Sequence, residues 1–307
     1  MTGQSTVPSI APERPGAPAG GERLPTFRGG RPLKRWRYVG VFCEELMACA
    51  ALVQVGPARQ SFWAVYTRAD GRLRERTRML MRRRVVALTP GRMTVRDSGV
   101  RLDLELEEGE GIQARCAHGG STRREGGRTP GVEADASGAD EGALDAGDVW
   151  TRKQAGVRTY GTLALDGGSP RAIEALAVID DTAGYHPRHT EWWWSAGVGT
   201  GEDGAALAWN LVAGVNDPPT GSERAVWVDG EPSETASVRF AADLSEIVAD
   251  DGSRLCFIAE AVRRRSENLV ILRSDYTAPF GTFSGALPGG VRLASGLGVI
   301  EHHRARW

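Results

Sequence analysis

Lysine is almost absent from this chain of 307 residues. Only Lys34 and Lys153 are lysine among the 38 basic residues, and all the others are arginine. We attribute the excess of arginine to a coding bias that also enriches alanine and glycine, rather than to phosphate binding. Because the formal net charge is only −1, no overall field draws the protein to nucleic acid or to an anionic membrane.

The sequence also lacks the segments that mark secreted or membrane proteins. Its four cysteines are scattered, with no Cys-x-x-Cys pair, so no disulfide framework is expected. The N-terminus has no apolar signal-peptide core, and no stretch approaches the ~18 uninterrupted apolar residues of a membrane span. We therefore predict a cytoplasmic protein without stable membrane insertion.

Signatures of nucleotide and metal chemistry are missing as well. No glycine-rich phosphate loop or strand-linked dinucleotide motif occurs, and Ser195 does not stand in a Gly-x-Ser-x-Gly nucleophile turn. The spacing His-x-x-His-x-Glu that begins at His186 matches no strong metal signature. The sequence predicts neither a cofactor nor a metal.

Two low-complexity segments divide the chain. Residues 1–24 are rich in proline, glycine and alanine and are predicted to be a disordered tail, while residues 119–148 combine glycines with acids. A loop of that length is unusual in a compact domain, so we interpret it as a disordered insertion at the seam between two halves. The predicted halves are an N-terminal β half at 25–118 and a C-terminal β half at 149–307.

Both halves consist of short segments with β character. Val100–Leu106 alternates apolar and polar residues with a period of two, and Asp-Gly pairs follow several such segments. Helix competes by propensity at 38–55, but the β-branched flanks favour two strands with a bend. Only 171–176 and 241–249 have room for a turn or two of helix. Many short strands separated by turns predict an all-β barrel or sandwich.

One segment, residues 180–194, concentrates residues suited to chemistry. It holds two aspartates, two of the five histidines, a glutamate and three consecutive tryptophans. The pKa of an ionisable group beside indole moves readily toward neutrality, as acid–base catalysis requires. Asp181, His189 and Glu191 are therefore the predicted catalytic residues. A structural pairing of His189 with a neighbouring carboxylate is the alternative.

The same segment supplies predicted ligand contacts. On a strand that begins near His189, alternation puts Glu191 and Trp193 on the same face as His189, and Trp192 and Trp194 on the opposite face. Trp193 contacts a ligand if that face lines a cavity; alternatively, the tryptophans fill the cores on the two sides of the strand. The other ligand-binding residues predicted from this region and from the middle of a later strand are Tyr185, His186 and Asn210.

A second polar cluster closes the chain. Glu301 and His303 share one strand face, opposite His302. In a closed barrel the last strand commonly pairs with the first, which would return both residues to the rim of the same cavity. We include them as ligand-binding residues, with a solvated terminal strand as the alternative.

Five blocks along the chain carry a resemblance to known families. The blocks are 31–42 (RPLKRWRYVGVF), 55–65 (VGPARQSFWAV), 180–194 (DDTAGYHPRHTEWWW), 279–285 (PFGTFSG) and 298–307 (GVIEHHRARW). Together they resemble an uncharacterised bacterial family, domain of unknown function 2804, over about residues 23–307. More distantly, the chain resembles lipocalin-like two-barrel proteins that include carotenoid 1,2-hydratases. This likeness implies two lipocalin-like β-barrel or sandwich halves that enclose apolar pockets; no catalytic residue is carried over from it.

These features predict a protein that binds a small apolar or amphipathic molecule, such as a lipid or isoprenoid. One alternative is an enzyme of the same fold that hydrates, isomerises or cyclises such a ligand by acid–base chemistry. Another is a structural or interaction module that recruits a partner through residues 119–148. No nucleic-acid partner is expected.

Overall fold

The computed structural model describes residues 24–79, 85–117, 148–269 and 272–306. These residues form 21 β-strands and no helix, so none of them belongs to a helix that could cross a membrane. The strands are β1 (Phe27–Arg28), β2 (Arg31–Pro32), β3 (Lys34–Cys43), β4 (Leu46–Val55), β5 (Ala58–Thr67), β6 (Arg72–Met79), β7 (Val86–Thr89), β8 (Arg92–Asp97), β9 (Val100–Leu106), β10 (Ile112–Ala117), β11 (Asp148–Leu165), β12 (Arg171–Gly184), β13 (His189–Gly201), β14 (Ala206–Ala213), β15 (Ala225–Val228), β16 (Glu231–Glu234), β17 (Val238–Phe240), β18 (Glu246–Ala249), β19 (Arg254–Leu269), β20 (Leu272–Leu287) and β21 (Val291–Arg306).

Apart from the short β1–β2 hairpin, the strands form two antiparallel sheets. The first has the order β6-β5-β4-β3-β12-β11-β9-β8-β7, with β10 also paired to β11, and the second has the order β16-β15-β14-β13-β21-β20-β19-β18-β17. Each sheet curls until one edge strand contacts strands near the opposite edge, because β7 contacts β4 and β5 while β17 contacts β14. The predicted all-β class with two lipocalin-like halves is confirmed.

Some segment assignments differ from the sequence expectations. Residues 171–176 begin β12, and 241–249 is a turn followed by β18, so neither is helical. The chain crosses from the first sheet to the second at residues 185–188. The first sheet therefore extends past the segment 119–148, the predicted seam; that segment and the predicted tail lie almost wholly outside the described residues.

Alternation along the strands sends side chains into three large cores, besides a small cluster of Leu33, Trp150, Ala183 and Tyr185. Val39 and Val41 of β3 point into a core enclosed by the first sheet, and Leu211 of β14 points into the corresponding core of the second. Tyr38 and Phe42 point the opposite way, into a third core between the two sheets. Because this third core belongs to both sheets, it joins them into one unit.

A β-bulge in β11 changes the core that this strand faces. Its pairing with β12 shifts register between Ala155 and Val157, and the intervening Gly156 has a φ of 73°, in the left-handed region that favours glycine. One extra residue reverses the alternation. Lys153 therefore faces the space between the sheets, while Val157 packs into the core of the first sheet.

The two sheets repeat the same winding. In each sheet four strands run outward from the middle in chain order, and the chain then returns from the opposite edge until its last strand pairs with its first. In this way β12 pairs with β3, and β21 pairs with β13. Equivalent strands of the two halves thus lie on the two sides of the core between the sheets.

Candidate functional site

A cavity of about 150 Å³ lies between the two sheets. An apolar cavity of about this volume can hold a molecule the size of benzene. Six aromatic rings line the cavity: Trp36, Tyr38 and Phe62 from the first sheet with Trp192, Trp194 and Tyr276 from the second. The aliphatic part of the wall includes Ala51, Val53 and Val212.

One polar part of the wall is built around Lys153, which is 2% exposed. Its Nζ lies 2.6 Å from Asp180 Oδ1 and 3.4 Å from Glu223 Oε2. Burial opposes the charge of Lys153, but the two carboxylates outweigh burial and raise its pKa. Burial also raises the pKa of Glu223, with Lys153 opposing and Asp180 adding to the rise. Two carboxyl groups therefore share one ammonium group.

Neutral donors complete this cluster. Trp36 Nε1 donates to Asp180 Oδ2 at 2.9 Å, and Thr182 Oγ1 donates to Asp180 Oδ1 at 2.8 Å. Asn216 Nδ2 donates to Glu223 Oε2 at 3.1 Å. Among the residues that the structure describes, no three His, Cys, Asp or Glu side chains are grouped as metal ligands. The cluster thus holds Asp180 in a fixed orientation by direct contacts within the protein.

Glu301 faces the cavity from β21 and is 8% exposed. Trp192 Nε1 donates to its Oε1 at 2.8 Å, and Tyr276 also forms a hydrogen bond with the carboxyl group. Burial raises the pKa of Glu301 to about 7; the two hydrogen bonds oppose this rise, and the charge of Asp180 adds to it. Glu301 consequently exchanges its proton near neutral pH.

His303 lies beside Glu301 and is held neutral. A hydrogen bond of 2.8 Å joins its Nε2 to Ser274 Oγ, and its Nδ1 is 3.9 Å from Glu301 Oε1. Its ring packs against Trp192 with the ring centroids 4.2 Å apart. Burial lowers the pKa of His303 to about 3, and the neighbouring His302 acts in the same direction. At neutral pH, His303 therefore brings no positive charge to Glu301.

Arg263 forms another part of the wall, and its charge is already matched. Its Nε lies 2.7 Å from Glu75 Oε2. The guanidinium group lies over Phe62, 4.3 Å from the ring centroid, and 5.4 Å from that of Tyr276. Burial opposes its charge, but the acidic groups around it raise its pKa, so Arg263 stays cationic.

Two of the residues predicted from sequence, Glu301 and His303, line this cavity. They do so because β21, the last strand, pairs with β13, the first strand of the second sheet. The register puts His303 opposite Trp192 and Glu301 opposite Trp194. All four side chains therefore contribute to one wall.

β13 presents alternate residues to opposite sides, as its sequence predicts. Trp192 and Trp194 are the ones that line the cavity. Trp193 points to the other side and stacks on His302, with ring centroids 4.6 Å apart and planes inclined by 6°. The sequence shows the alternation, but it does not show which face meets the empty space.

Glu191 and His189 lie at the outer surface, away from the cavity. Glu191 Oε1 accepts a hydrogen bond from Arg304 Nε at 2.7 Å and lies 2.9 Å from His302 Nε2. These two partners lower the pKa of Glu191. His189 is exposed at the start of β13, where it pairs with Arg306 across the strands. Their predicted catalytic roles stay predictions.

Asp181 and Asn210 are buried beside the cavity without lining it. Asp181 lies on the face of β12 opposite Asp180 and accepts hydrogen bonds from Arg37 Nη1 and from Arg152 Nη2, each at 2.8 Å to Oδ2. Asn210 accepts a hydrogen bond from Trp194 Nε1 at 2.8 Å and donates one to the Glu223 carbonyl at 2.7 Å. Asn210 thus braces two groups of the wall from behind.

Tyr185 and His186 belong to the crossing between the sheets. Tyr185 is fully buried, and its Oη donates to the Pro25 carbonyl at 2.7 Å. The His186 ring stacks on Trp36 with centroids 5.4 Å apart, and its carbonyl accepts a hydrogen bond from Lys34 Nζ at 3.2 Å. Burial, aided by Arg31, lowers the pKa of Lys34 to about 7. Ligand binding by Tyr185 and His186 stays a prediction.

Sequence reasoning missed Lys153, although the sequence carries a signal for it. The chain has only two lysines, and both are buried, Lys34 at 1% and Lys153 at 2% exposure. A compact ammonium group fits a small cluster of oxygen atoms that a planar guanidinium group does not. In a chain that otherwise uses arginine, each lysine marks such a position.

The fold and the cavity define the class of this protein. Two curled antiparallel sheets packed face to face, with no helix among the described residues, give it a lipocalin-like fold. The chain belongs to the family described as domain of unknown function (DUF2804), whose model matches residues 26–307.

The solved structures that the chain is similar to are distant from it in sequence. The crystal structure of an AttH from Nitrosomonas europaea is 11% identical, with a TM-score of 0.54, and the match covers 95% of this chain and 98% of that chain. Kievitone hydratase from Nectria haematococca is 9% identical, with a TM-score of 0.48 and coverage of 91% and 90%. No curated protein matches the chain in sequence. At these identities the similarity concerns the fold alone.

Proposed function

We propose that the cavity between the two sheets binds a small amphipathic molecule of largely apolar character. The observation that carries this proposal is the set of six aromatic side chains that surround the cavity. Binding sites for small molecules are mostly apolar, with a few polar groups that fix the orientation of the ligand. Here Asp180, Glu223 and Glu301 supply those groups. The lipocalin-like fold supports the same conclusion.

The volume of the cavity limits the size of the ligand. About 150 Å³ accommodates a ring or a short branched chain. A lipid or isoprenoid therefore fits as a compact molecule or by one end of a longer chain. The aromatic wall offers it dispersion contacts and apolar burial, worth about 25 cal/mol per Å² of apolar surface removed from water.

Extraction of the purified protein tests this proposal. Organic extracts of the wild-type protein, analysed by mass spectrometry, should contain a compound that extracts of a control purification lack. Val53→Trp places a large side chain in the cavity wall and should abolish recovery of the compound. Val228→Trp, at a position 36% exposed on β15, is the matched control and should retain it. Recovery of nothing above the control, or equal recovery from Val53→Trp, would contradict the proposal.

A second candidate function is acid–base catalysis on such a ligand, and the protonation of Glu301 favours it. A carboxyl group with a pKa of about 7 can give or take a proton near neutral pH. Tryptophan faces also stabilise a developing carbocation. Hydration, isomerisation or cyclisation of an unsaturated ligand would use Glu301 as the proton donor.

Conversion of the extracted compound distinguishes catalysis from binding. The wild-type protein should change the mass or the chromatographic retention of the compound over time, and Glu301→Gln should bind it without conversion. Glu191→Gln tests the catalytic role predicted from sequence, because Glu191 lies outside the cavity. Unchanged compound after long incubation with the wild-type protein would exclude turnover of that compound and leave the binding function.

A further inference from the structure

The two walls of the cavity carry the same pair of groups. Trp36 Nε1 donates to Asp180 Oδ2 at 2.9 Å on the first sheet, and Trp192 Nε1 donates to Glu301 Oε1 at 2.8 Å on the second. Trp36 lies on β3 and Asp180 on β12, while Trp192 and Glu301 lie on the equivalent strands β13 and β21. The repeated winding therefore places two indole–carboxyl pairs at one cavity.

The two carboxyl groups differ in the residue across the strand. Asp180 lies opposite Lys153 in the register of β11 and β12, and their side chains form the ion pair of 2.6 Å. The register of β20 and β21 pairs Thr277 with His302 and Phe280 with Val299, which leaves Ala278 at the position opposite Glu301. No lysine or arginine of the described chain lies within 4 Å of the Glu301 carboxyl group. Glu301 thus has no lysine or arginine in direct contact, unlike Asp180, and the charge of Arg263 acts on it only from farther away.

The other cations of the wall already have carboxylate partners. Arg263 pairs with Glu75 at 2.7 Å, and Arg265 pairs with Glu267 at 2.5 Å. Lys153, as described above, lies between Asp180 and Glu223. Asp180 and Glu223 therefore share the charge of Lys153, and the three cations of the described wall each contact carboxylates other than Glu301. A buried carboxylate without a partner is costly, and such a cavity disfavours an anionic ligand.

We propose that the ligand of this cavity carries a cationic nitrogen, an ammonium or alkylammonium group, that lies against Glu301 among the rings of Trp192, Trp194 and Tyr276. The inference rests on the proposed binding function and specifies its ligand class. The cation pairs with the carboxylate of Glu301 as Lys153 pairs with that of Asp180. The faces of indole and phenol rings attract a cation electrostatically, and most strongly when the cation is desolvated. A carboxylate ligand such as a fatty acid is excluded by the same charges.

Binding of a cation beside Glu301 should change the protonation of that carboxyl group. The charged and titratable groups that face Glu301 are Asp180 on β12, Tyr38 on β3, Arg263 on β19, Tyr276 on β20 and His303 on β21. A cation beside Glu301 favours its ionised form. Binding should therefore release part of a proton near pH 7, and the affinity for the cation should rise with pH through that region.

Three small probes of the same shape test the inference on the full-length protein. The first is choline. The second is its neutral isostere tert-butylethanol (3,3-dimethyl-1-butanol), in which carbon replaces nitrogen. The third is the anion 3,3-dimethylbutanoate. Binding is measured by isothermal titration calorimetry and by tryptophan fluorescence. Choline should bind at least about tenfold more tightly than the neutral isostere, which corresponds to 1.4 kcal/mol, and the anion should bind most weakly. Calorimetry in two buffers of different ionisation enthalpy should detect proton release with choline only.

Isosteric variants locate the charge effect. Glu301→Gln should remove the preference for choline while the affinity for tert-butylethanol stays unchanged. Glu202→Gln, which removes a surface carboxylate paired with Arg292, should keep the preference. Because proton release is measured on the wild-type protein, the test remains decisive even where Glu301→Gln fails to fold.

The outcomes separate this inference from the proposed function. Equal or tighter binding of the neutral or anionic isostere overturns the cationic ligand and leaves a cavity for neutral compounds. Failure of all three probes to bind also overturns it, and the extraction experiment then decides the binding function by itself. Choline preference that persists in Glu301→Gln places the cation elsewhere and overturns the role of Glu301.

Discussion

Glu301 illustrates how a buried carboxyl group links stability to pH. Its pKa is raised to about 7 from an ordinary value near 4.3. Between these values the folded protein keeps the proton and the unfolded chain loses it. The resulting stabilisation is fully present below the unfolded pKa and is lost as the pH rises through the folded pKa.

We expect the free energy of unfolding of Glu301→Gln to rise relative to that of the wild-type protein by about 3 kcal/mol between pH 4 and pH 8. Each unit by which the pKa of Glu301 is raised contributes ~1.4 kcal/mol to this difference. The pH dependence of His303, whose pKa is lowered to about 3, has the opposite sign, because its contribution is lost as the pH falls. Comparing variant with wild type cancels that effect. Urea unfolding at several pH values measures the difference, and a difference independent of pH would show that Glu301 titrates normally.

At the residue scale the candidate site was only partly predictable. Strand alternation in the sequence puts Glu301 and His303 on one face, but their position at the cavity depends on the pairing of β21 with β13, which the sequence does not specify. Lys153 lay outside every strand predicted from sequence, because the bulge at Gly156 interrupts the alternation of β11. The partner of each ionisable group depends on register between distant strands, and no local pattern specifies that register.

At the scale of single strands, close approach of backbones restricts β13. Gly197 pairs with Gly298 of β21 and with Trp209 of β14. A Cβ atom at Gly197 would lie 2.3 Å from Trp209 Cζ2 and 2.5 Å from the Leu297 carbonyl oxygen. Since the carbonyl belongs to the paired strand, relief requires the strands to separate.

Gly197→Ala should therefore lower the free energy of unfolding by about 3 kcal/mol, near the upper end for overpacking. Gly109→Ala is the matched control, because a Cβ atom there would have no atom within 4 Å, and it should change the free energy by less than about 0.5 kcal/mol. Chemical denaturation measures both values. A Gly197→Ala protein as stable as Gly109→Ala would mean that the strands adjust freely.

Element types were easier to predict than element limits. The hairpin strands β3 and β4 appear where the apolar run 38–55 predicted two strands, because β-branched residues flank a bend. The sequence of residues 171–176 allows a turn or two of helix, yet these residues pair with β11. Local propensity there yields to the hydrogen bonds of the neighbouring strand.

At the scale of the whole molecule, the core between the sheets determines cooperativity. Trp194 and Phe280 from the second sheet pack with Tyr38 and Phe42 from the first in one cluster. T-shaped contacts join Tyr38 to Trp194 and Phe42 to Phe280, with centroids 5.3 and 6.4 Å apart. Separation of the sheets would expose all four rings at once.

We therefore expect both sheets to unfold in one transition. In urea, the far-ultraviolet circular dichroism and the tryptophan fluorescence should give the same midpoint within error, as two-state unfolding requires. Two resolved transitions would indicate that each sheet is stable without the other.

The sequence predicted two halves, but it placed their boundary before β11, because the glycine-rich stretch 119–148 is a stronger local signal than the short crossing at 185–188.

Because both halves belong to one chain, substitutions can accumulate in each half separately during evolution. In an assembly of two identical subunits, each substitution would occur on both sides of the shared space, and a lysine introduced beside one acid would also neutralise the other. A tandem chain escapes this constraint, since each half mutates independently. A single difference, between Lys153 opposite Asp180 and Ala278 opposite Glu301, is enough to make the two faces of the cavity unlike in charge.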